Sequence, residues 1–255
     1  MKIQYCSDLH LEFDENKAYL DENPLKVVGD ILILAGDIML FKDMSEHSVF
    51  FDFVSKNFET TYWIAGNHEY YFSDASLNVG SFHIPIRKNV FLVNNYSEVK
   101  NTVRLVFSTL WTKISPANQW YIQRNMSDFK VIDYKGERFS PTTANYLCKQ
   151  NVDFLTKTLS KKRRDNFKTV VVTHHVPTFL NYPEQYKGDA LNEGFAVELF
   201  DLIEATKPAY WIYGHHHVNI PAFKKGETQL LTNQLGYMKD GGADGFDSGK
   251  VILID

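Results

Sequence analysis

Apolar residues along this chain gather in short continuous runs rather than in one sustained alternation. Residues 2–7 read as a brief strand, and the run at 31–35 is what a strand covered on both faces requires. Residues 61–69 read as a short strand ending in a Gly-Asn turn, and further strands are predicted at 89–95, 103–110, 168–175, 209–217, 228–234 and 250–255. A helix is predicted over 45–58, with Val49, Phe50, Phe53 and Val54 as one apolar stripe. A second opens with Ser140 as its N-cap and Pro141 in the first turn, and carries Cys148, Val152, Leu155 and Leu159 at helical spacing. A third lies near 195–206 and stops before Pro208. Between 111 and 139 polar and aromatic residues mix without a period, which reads as a long insertion or cap.

Strands interleaved with helices early and crowded together late predict an α/β fold with mixed sheets. With 255 residues and no repeat, low-complexity tract or linker, the whole of 1–255 reads as a single domain. The net charge of −4, from 27 basic and 31 acidic residues, is too balanced for an electrostatic footprint on long nucleic acid. The basic run "KKRR" at 161–164 leaves two readings open, a nucleic-acid patch or a solvated helix end that complements the dipole. Cys6 and Cys148 stand far apart in no metal-type spacing, as reduced thiols of a cytoplasmic protein would. No apolar stretch approaches the roughly 20 residues that span a bilayer, so no membrane association is expected. "MKIQYCSDLHLEF" reads as a strand bearing candidate ligands rather than as a leader.

The candidate chemistry collects at the carboxyl ends of five predicted strands. These ends carry Asp8 and His10, then Asp37, then Asn67 and His68, then His174, and last His215 and His217. That is the edge at which α/β sheets place their sites. In extended chain residues two apart share a side, which would aim Asp8 with His10 and His215 with His217, leaving His216 turned away. Gly36, Gly66 and Gly214 each precede a donor and would let backbone approach closely. Gly29-Asp30 serves as an internal control, because Asp30 precedes its strand and so lies at the opposite edge. Imidazoles, carboxylates and an amide without thiolate suit Mn²⁺, Fe, Zn²⁺, Ni²⁺ or Mg²⁺. Without His68, the seven remaining side chains exceed what one ion needs and fit a two-metal layout with Asp37 as the bridge.

"SDLH", "AGD", "GNHE", "THH" and "GHHH" together resemble, in order and context, the calcineurin-like metallophosphoesterases. The resemblance runs from near the first residue to the last strands. It implies two packed mixed β-sheets flanked by helices. It further implies that Asp8, His10, Asp37 and His217 hold one divalent metal and Asp37, Asn67, His174 and His215 the other, with Mn²⁺ foremost. His68 would contact the phosphate and assist the leaving group, while a metal-bridging hydroxide attacks. The competing reading of His68 is a structural ring bonded to Glu69 or a backbone carbonyl. His175 is expected in the outer shell or in packing. One departure stands out: "GDIMLF" lacks the Asp-Arg-Gly element of the protein Ser/Thr phosphatases, and with it the Asp that orients the histidine. The chain is thus closer to the small bacterial phosphoesterases and phosphodiesterases of the superfamily.

A small phosphodiester, nucleotide-derived if aromatic rings stack a base, is the expected substrate. Asn67, His68, Tyr70, Tyr71, Trp111 and Tyr182 are the candidate contacts. The alternatives are a phosphomonoesterase or nucleotidase, then a nuclease, then a silent scaffold on the same fold. Arg87, Lys88, Lys113 and Arg124 are candidate phosphate contacts that nothing in the sequence separates from surface charge.

Overall fold

Ile31, Ile33 and Ala35 point to one side of their strand, Leu32 and Leu34 to the other, and all five are fully buried. A strand apolar on both faces has to be covered twice, and the architecture follows from that demand. The structure is a computed structural model that describes residues 1–161 and 167–254. Most of the basic run at 161–164 therefore lies outside the described residues.

In chain order the strands are β1 (Lys2–Cys6), β2 (Ile31–Ala35), β3 (Thr60–Ile64), β4 (Phe82–Arg87), β5 (Val90–Asn94), β6 (Tyr96–Lys100) and β7 (Val103–Ser108). They continue with β8 (Asp133–Tyr134), β9 (Glu137–Arg138), β10 (Lys168–Thr173), β11 (Tyr210–Tyr213), β12 (Phe223–Lys225), β13 (Thr228–Thr232) and β14 (Val251–Leu253). The α-helices are α1 (Asp14–Glu22), α2 (Ser48–Asn57), α3 (Gln119–Asn125), α4 (Asp128–Val131), α5 (Pro141–Leu159) and α6 (Phe200–Thr206).

Two six-stranded mixed sheets result, ordered β14-β1-β2-β3-β5-β4 and β12-β13-β11-β10-β7-β6. Each has a parallel centre closed at both edges by an antiparallel strand. Between the sheets lie Ile3, Ile33, Ile64, Leu105, Val170, Val172 and Ile212. Outside the first sheet, Leu34 and Trp63 meet Phe51 and Val54 of α2. Outside the second, Val171 and Trp211 meet Leu147, Cys148, Leu155 and Leu159 of α5. Helix, sheet, sheet and helix thus stack, as the family resemblance implied. The Ser140 hydroxyl accepts the Thr143 N–H at 3.2 Å, so the predicted cap of α5 is present.

Several elements differ from expectation. In α2, Val49 is 78% exposed and Phe51 takes the inward position, its ring 5.5 Å from Trp63. The helix starts at Ser48, and the packing on Trp63 turns its buried stripe away from Val49. The segment 111–139 is not patternless. It folds into α3, α4 and the β8–β9 hairpin, and Ile122, Phe129, Ile132 and Phe139 join the core outside the second sheet. Each of these elements is too short for a period to show. The edge strands β4, β6 and β12 and the polar helix α1 were likewise not marked by apolar runs.

Candidate dinuclear metal centre

The parallel strands all end at one edge, and the predicted donors are brought together there. Asp8, His10 and His174 are fully buried, and Asp37, Asn67 and His215 nearly so. The expected extended alternation does not place them, because Asp8, His10, Asp37, His215 and His217 all adopt left-handed backbone, with φ of 56, 48, 53, 82 and 52°. Such conformations cost about 1–3 kcal/mol each and persist where surrounding structure over-determines them. Glu69 supplies part of that constraint. Its carboxylate accepts the N–H groups of Asp37, Ile38 and Gly66 and the Trp63 indole N–H, all at 2.7–2.9 Å. The role of the predicted glycines is also clear: a Cβ on Gly36, Gly66 or Gly214 would collide with His174, Asp37 or Asp8.

Three groups of donors emerge among the described residues, two of them sharing Asp37 and the third made of His10, Glu12 and His68. Of the two that share Asp37, Asp8, His10, Asp37 and His217 form the first and Asp37, His174 and His215 the second, with the ligand atoms of each cluster within 4.8 Å of one another. Asp37 Oδ2 belongs to both, 3.8 Å from His10 Nε2 and 3.4 Å from His174 Nε2. Asn67 Oδ1 joins the second at 3.2 Å from His174 Nε2, while its amide N–H donates to Asp128 Oδ1 at 2.9 Å. Ring nitrogens face each other at 3.1 Å (His10 Nε2 to His217 Nε2) and at 3.0 Å (His174 Nε2 to His215 Nδ1).

The chemistry of this set fits a pair of cations. Buried carboxylates need compensating charge, and no Lys or Arg ion-pairs with Asp8 or Asp37 among the described residues. Burial lowers the His174 pKa, but the Asp37 charge outweighs it and carries the ring up to about 10. The site draws positive charge to the place where the donors converge. His175 takes the opposite course: burial and then the His174 charge push it down to about 3. Its ring packs 5.3 Å from Trp111, as expected of a packing residue. His216 turns away from the clusters to accept from Gln234 at 3.0 Å, yet it edges the cleft.

His68 stands beside the clusters with both ring nitrogens engaged. Nδ1 lies 2.9 Å from Glu12 Oε1 and Nε2 lies 2.9 Å from the Tyr237 hydroxyl, while Tyr71 stacks on the ring at 4.0 Å. The alternative bond to Glu69 is absent, because Glu69 is taken up by the backbone. Burial would raise the Glu12 carboxyl, but the hydrogen bonds from His10 and His68 hold it down at about 2. Tyr237 arrives on the loop after β13, which docks through Leu235 N–H to Ser7 O and Gly236 N–H to Asp8 O.

A cleft of about 540 Å³ opens over this floor. Of the candidate contacts, Asn67, His68 and Tyr71 line it, with Asn125, Met126, Asp128, Tyr186, Phe195 and Tyr237. Tyr70, Trp111 and Tyr182 do not. Tyr70 and Trp111 are 1% and 3% exposed and pack on each other in the core, and Tyr182 is buried against Phe179. No Lys or Arg lines the cleft among the described residues, and Arg87, Lys88, Lys113 and Arg124 are therefore not part of its lining. Arg87 instead pairs with Asp52 at 2.7 Å. Glu12, Asp128 and Tyr237 were missed. Glu12 alone had a signal, standing two residues beyond His10 in "SDLHLE".

The calcineurin-like phosphoesterase family profile matches residues 1–219, and the chain belongs to that family. It is 28% identical, over 92% of its length and 91% of the relative's, to an uncharacterized protein of Acanthamoeba polyphaga mimivirus. The crystal structure of a phosphopantetheinyl hydrolase from Mycobacterium tuberculosis is similar in fold, with a TM-score of 0.71 and 17% identity over 100% of this chain and 96% of that one. A dimetal phosphatase from Danio rerio aligns at a TM-score of 0.47 and 11% identity, over 92% and 87% of the two chains. The protein is a metallophosphoesterase with a candidate dimetal site of His and Asp, and no helix among its described residues is long and apolar enough to cross a membrane.

Proposed function

We propose that the protein hydrolyses small phosphodiesters with two divalent metal ions, held by Asp8, His10, Asp37 and His217 and by Asp37, Asn67, His174 and His215. The observation that carries this reading is the pair of donor clusters sharing Asp37 Oδ2 on the floor of a cleft that His68 enters. Bound divalent ions supply a water of lowered pKa and offset charge on phosphoryl oxygens. The chain's own part is then to orient the ester and manage a proton. In its cationic form His68 carries a second proton on Nε2, beside the Nδ1 proton held toward Glu12, and that Nε2–H reaches the cleft and donates to the departing alkoxide or to a phosphoryl oxygen once Tyr237 gives way. Met126, Leu191 and Phe195 offer an apolar wall to the organic part of the substrate.

Preference for a diester rests on charge. A monoester dianion brings a second negative charge into a cleft that has no Lys or Arg lining among the described residues. A diester brings one. The monoesterase or nucleotidase reading draws its support from Tyr71, Tyr186 and Tyr237, which offer rings to a base. Mn²⁺ is the first metal to try, with Fe, Zn²⁺, Ni²⁺ and Mg²⁺ suited to the same donors. The unpaired, buried Cys6 and Cys148 favour a reducing, cytoplasmic setting. We treat the chain as one catalytic domain whose 111–139 segment walls the cleft.

The test strips the protein of metal, reloads it with Mn²⁺ and compares bis-p-nitrophenyl phosphate with p-nitrophenyl phosphate, with His68→Ala as control. Faster diester turnover lost in the variant is the expected result. Monoester preference overturns the diester assignment. Two bound ions of any suitable metal without turnover of either ester would make the silent scaffold the better reading. A phosphopantetheinyl ester belongs in the wider panel, since the fold-level neighbour is named for hydrolysing one.

A further inference from the structure

Glu12 lies between β1 and α1, its side chain only 8% exposed, and a single oxygen of its carboxylate receives two imidazoles. Oε1 is 2.9 Å from His10 Nδ1 and 2.9 Å from His68 Nδ1, and the two rings stand 4.5 Å apart at 75° to each other. No Lys or Arg pairs with this carboxylate among the described residues, and Oε2 has no hydrogen-bond partner there. An ionised carboxylate only accepts hydrogen bonds, so both Nδ1 atoms must carry their protons toward it. Each ring is then left with Nε2. For His10 that nitrogen faces His217 and Asp37, and for His68 it faces Tyr237 and the cleft. The "GDIMLF" segment holds no carboxylate after Asp37 that orients His68, and the bond comes from the "SDLHLE" segment instead.

We propose that Glu12 is a positioning residue that fixes the tautomer and the direction of His10 and His68 with one oxygen, and so ties a metal-donor ring to the ring that meets substrate. The proposal rests on the function proposed above for its catalytic consequence, but its geometric content is independent of turnover. Carboxylate partners of this kind hold a ligating histidine in one tautomer and raise its basicity. Here the same carboxylate also sets a ring that is not itself in either donor cluster with Asp37. A change at Glu12 therefore reaches metal affinity and the proton-transfer step together.

Two experiments test it on the full-length protein. Long-range ¹⁵N–¹H correlation on the metal-free protein reads the tautomers directly. Nδ1–H is expected at His10 and His68 in the unaltered chain, with a shift toward Nε2–H in Glu12→Ala. Nε2–H at both rings in the unaltered chain overturns the proposal whatever the activity. The second is a double-mutant cycle at saturating Mn²⁺ with the diester. Glu12→Ala should lower kcat roughly 10–100-fold, with KM unchanged and two ions still bound. Saturating Mn²⁺ masks any loss of metal affinity through His10, so the remaining effect runs through His68 and Glu12→Ala/His68→Ala should then be no slower than His68→Ala. Losses that multiply overturn the proposal. Glu12→Gln, which keeps an acceptor oxygen at the same reach, should recover more activity than the shorter Glu12→Asp, and it stands in if the alanine variant fails to fold. If the unaltered protein turns over no ester, the proposed function fails while the tautomer measurement still decides the role of Glu12.

Discussion

On the floor of the cleft, Asp8, Asp37 and His174 each sit one or two residues beyond a parallel strand and are at most 1% exposed. The outer wall is made differently. Asn125, Met126 and Asp128 come from the short helices α3 and α4 and their junction, and Tyr186 and Phe195 from turns after β10. The floor is crowded and left-handed in its backbone, and its glycines leave no space for a methyl group. The wall mixes polar Asn125 and Asp128 with apolar Met126 and Phe195 and is carried by short helices and turns. What must stay constant for the chemistry is built on sheet ends, and what can vary with the substrate is built on loops.

The sharpest way to break this contrast is to remove the shared floor oxygen. Asp37→Asn should lose metal from both clusters and cut turnover well beyond the roughly 10–100-fold typical of an outer-shell change. Metal content and turnover measured together check this.

Two glycines provide the next comparison. A Cβ on Gly66 would collide with Asp37 Oδ1, and a Cβ on Gly194 would collide with the Met126 sulfur. The carboxylate is clamped and the thioether can swing aside, so Gly66→Ala should cost about 1–3 kcal/mol while Gly194→Ala costs less. Denaturant titration of both variants decides it. Equal costs would mean that the wall is as rigid as the floor.

Asp128 is the wall residue that reaches the floor, accepting from Asn67 at 2.9 Å and from the Tyr71 hydroxyl at 2.8 Å. Asp128→Ala should lower kcat about 10-fold, near the bottom of the usual outer-shell range, by freeing the Asn67 amide to rotate. Tyr186→Ala, on the wall alone, should raise KM for an aromatic diester and leave kcat and metal content unchanged.

The smallest effect is expected far from the metals. Asp74 is held at about 2, chiefly by its hydrogen bond from Ser76, and it also accepts the Lys135 and Gly136 N–H groups of the β8–β9 turn. A folded pKa below the unfolded one stabilises above the unfolded value, about 4, and the gain is lost as pH falls through about 2. Hydrogen-exchange protection at Lys135 and Gly136 should therefore weaken between pH 4 and 2, and Asp74→Asn should remove that dependence.

What the sequence determined by itself was the floor. Ile31–Ala35 and Lys168–Thr173 announce buried strands because a two-faced strand has to be apolar throughout, and the donors follow at once along the chain. The cap of α5 was equally local, since Ser140 and Pro141 act within one turn. The inward face of α2 was not, because Phe51 outranks Val49 only once Trp63 is beneath it. Tyr70 and Trp111 follow the same logic, for an aromatic ring near a motif looks the same whether it packs or binds. Tertiary structure alone decided that Asp128 and Tyr237 meet Asn67 and His68, 61 and 169 residues away. It also decided that one oxygen of Glu12 holds rings from two different strand ends. Periodicity records which side of an element is buried, whereas the meeting of distant loops depends on how two sheets stack, and no local pattern carries that information.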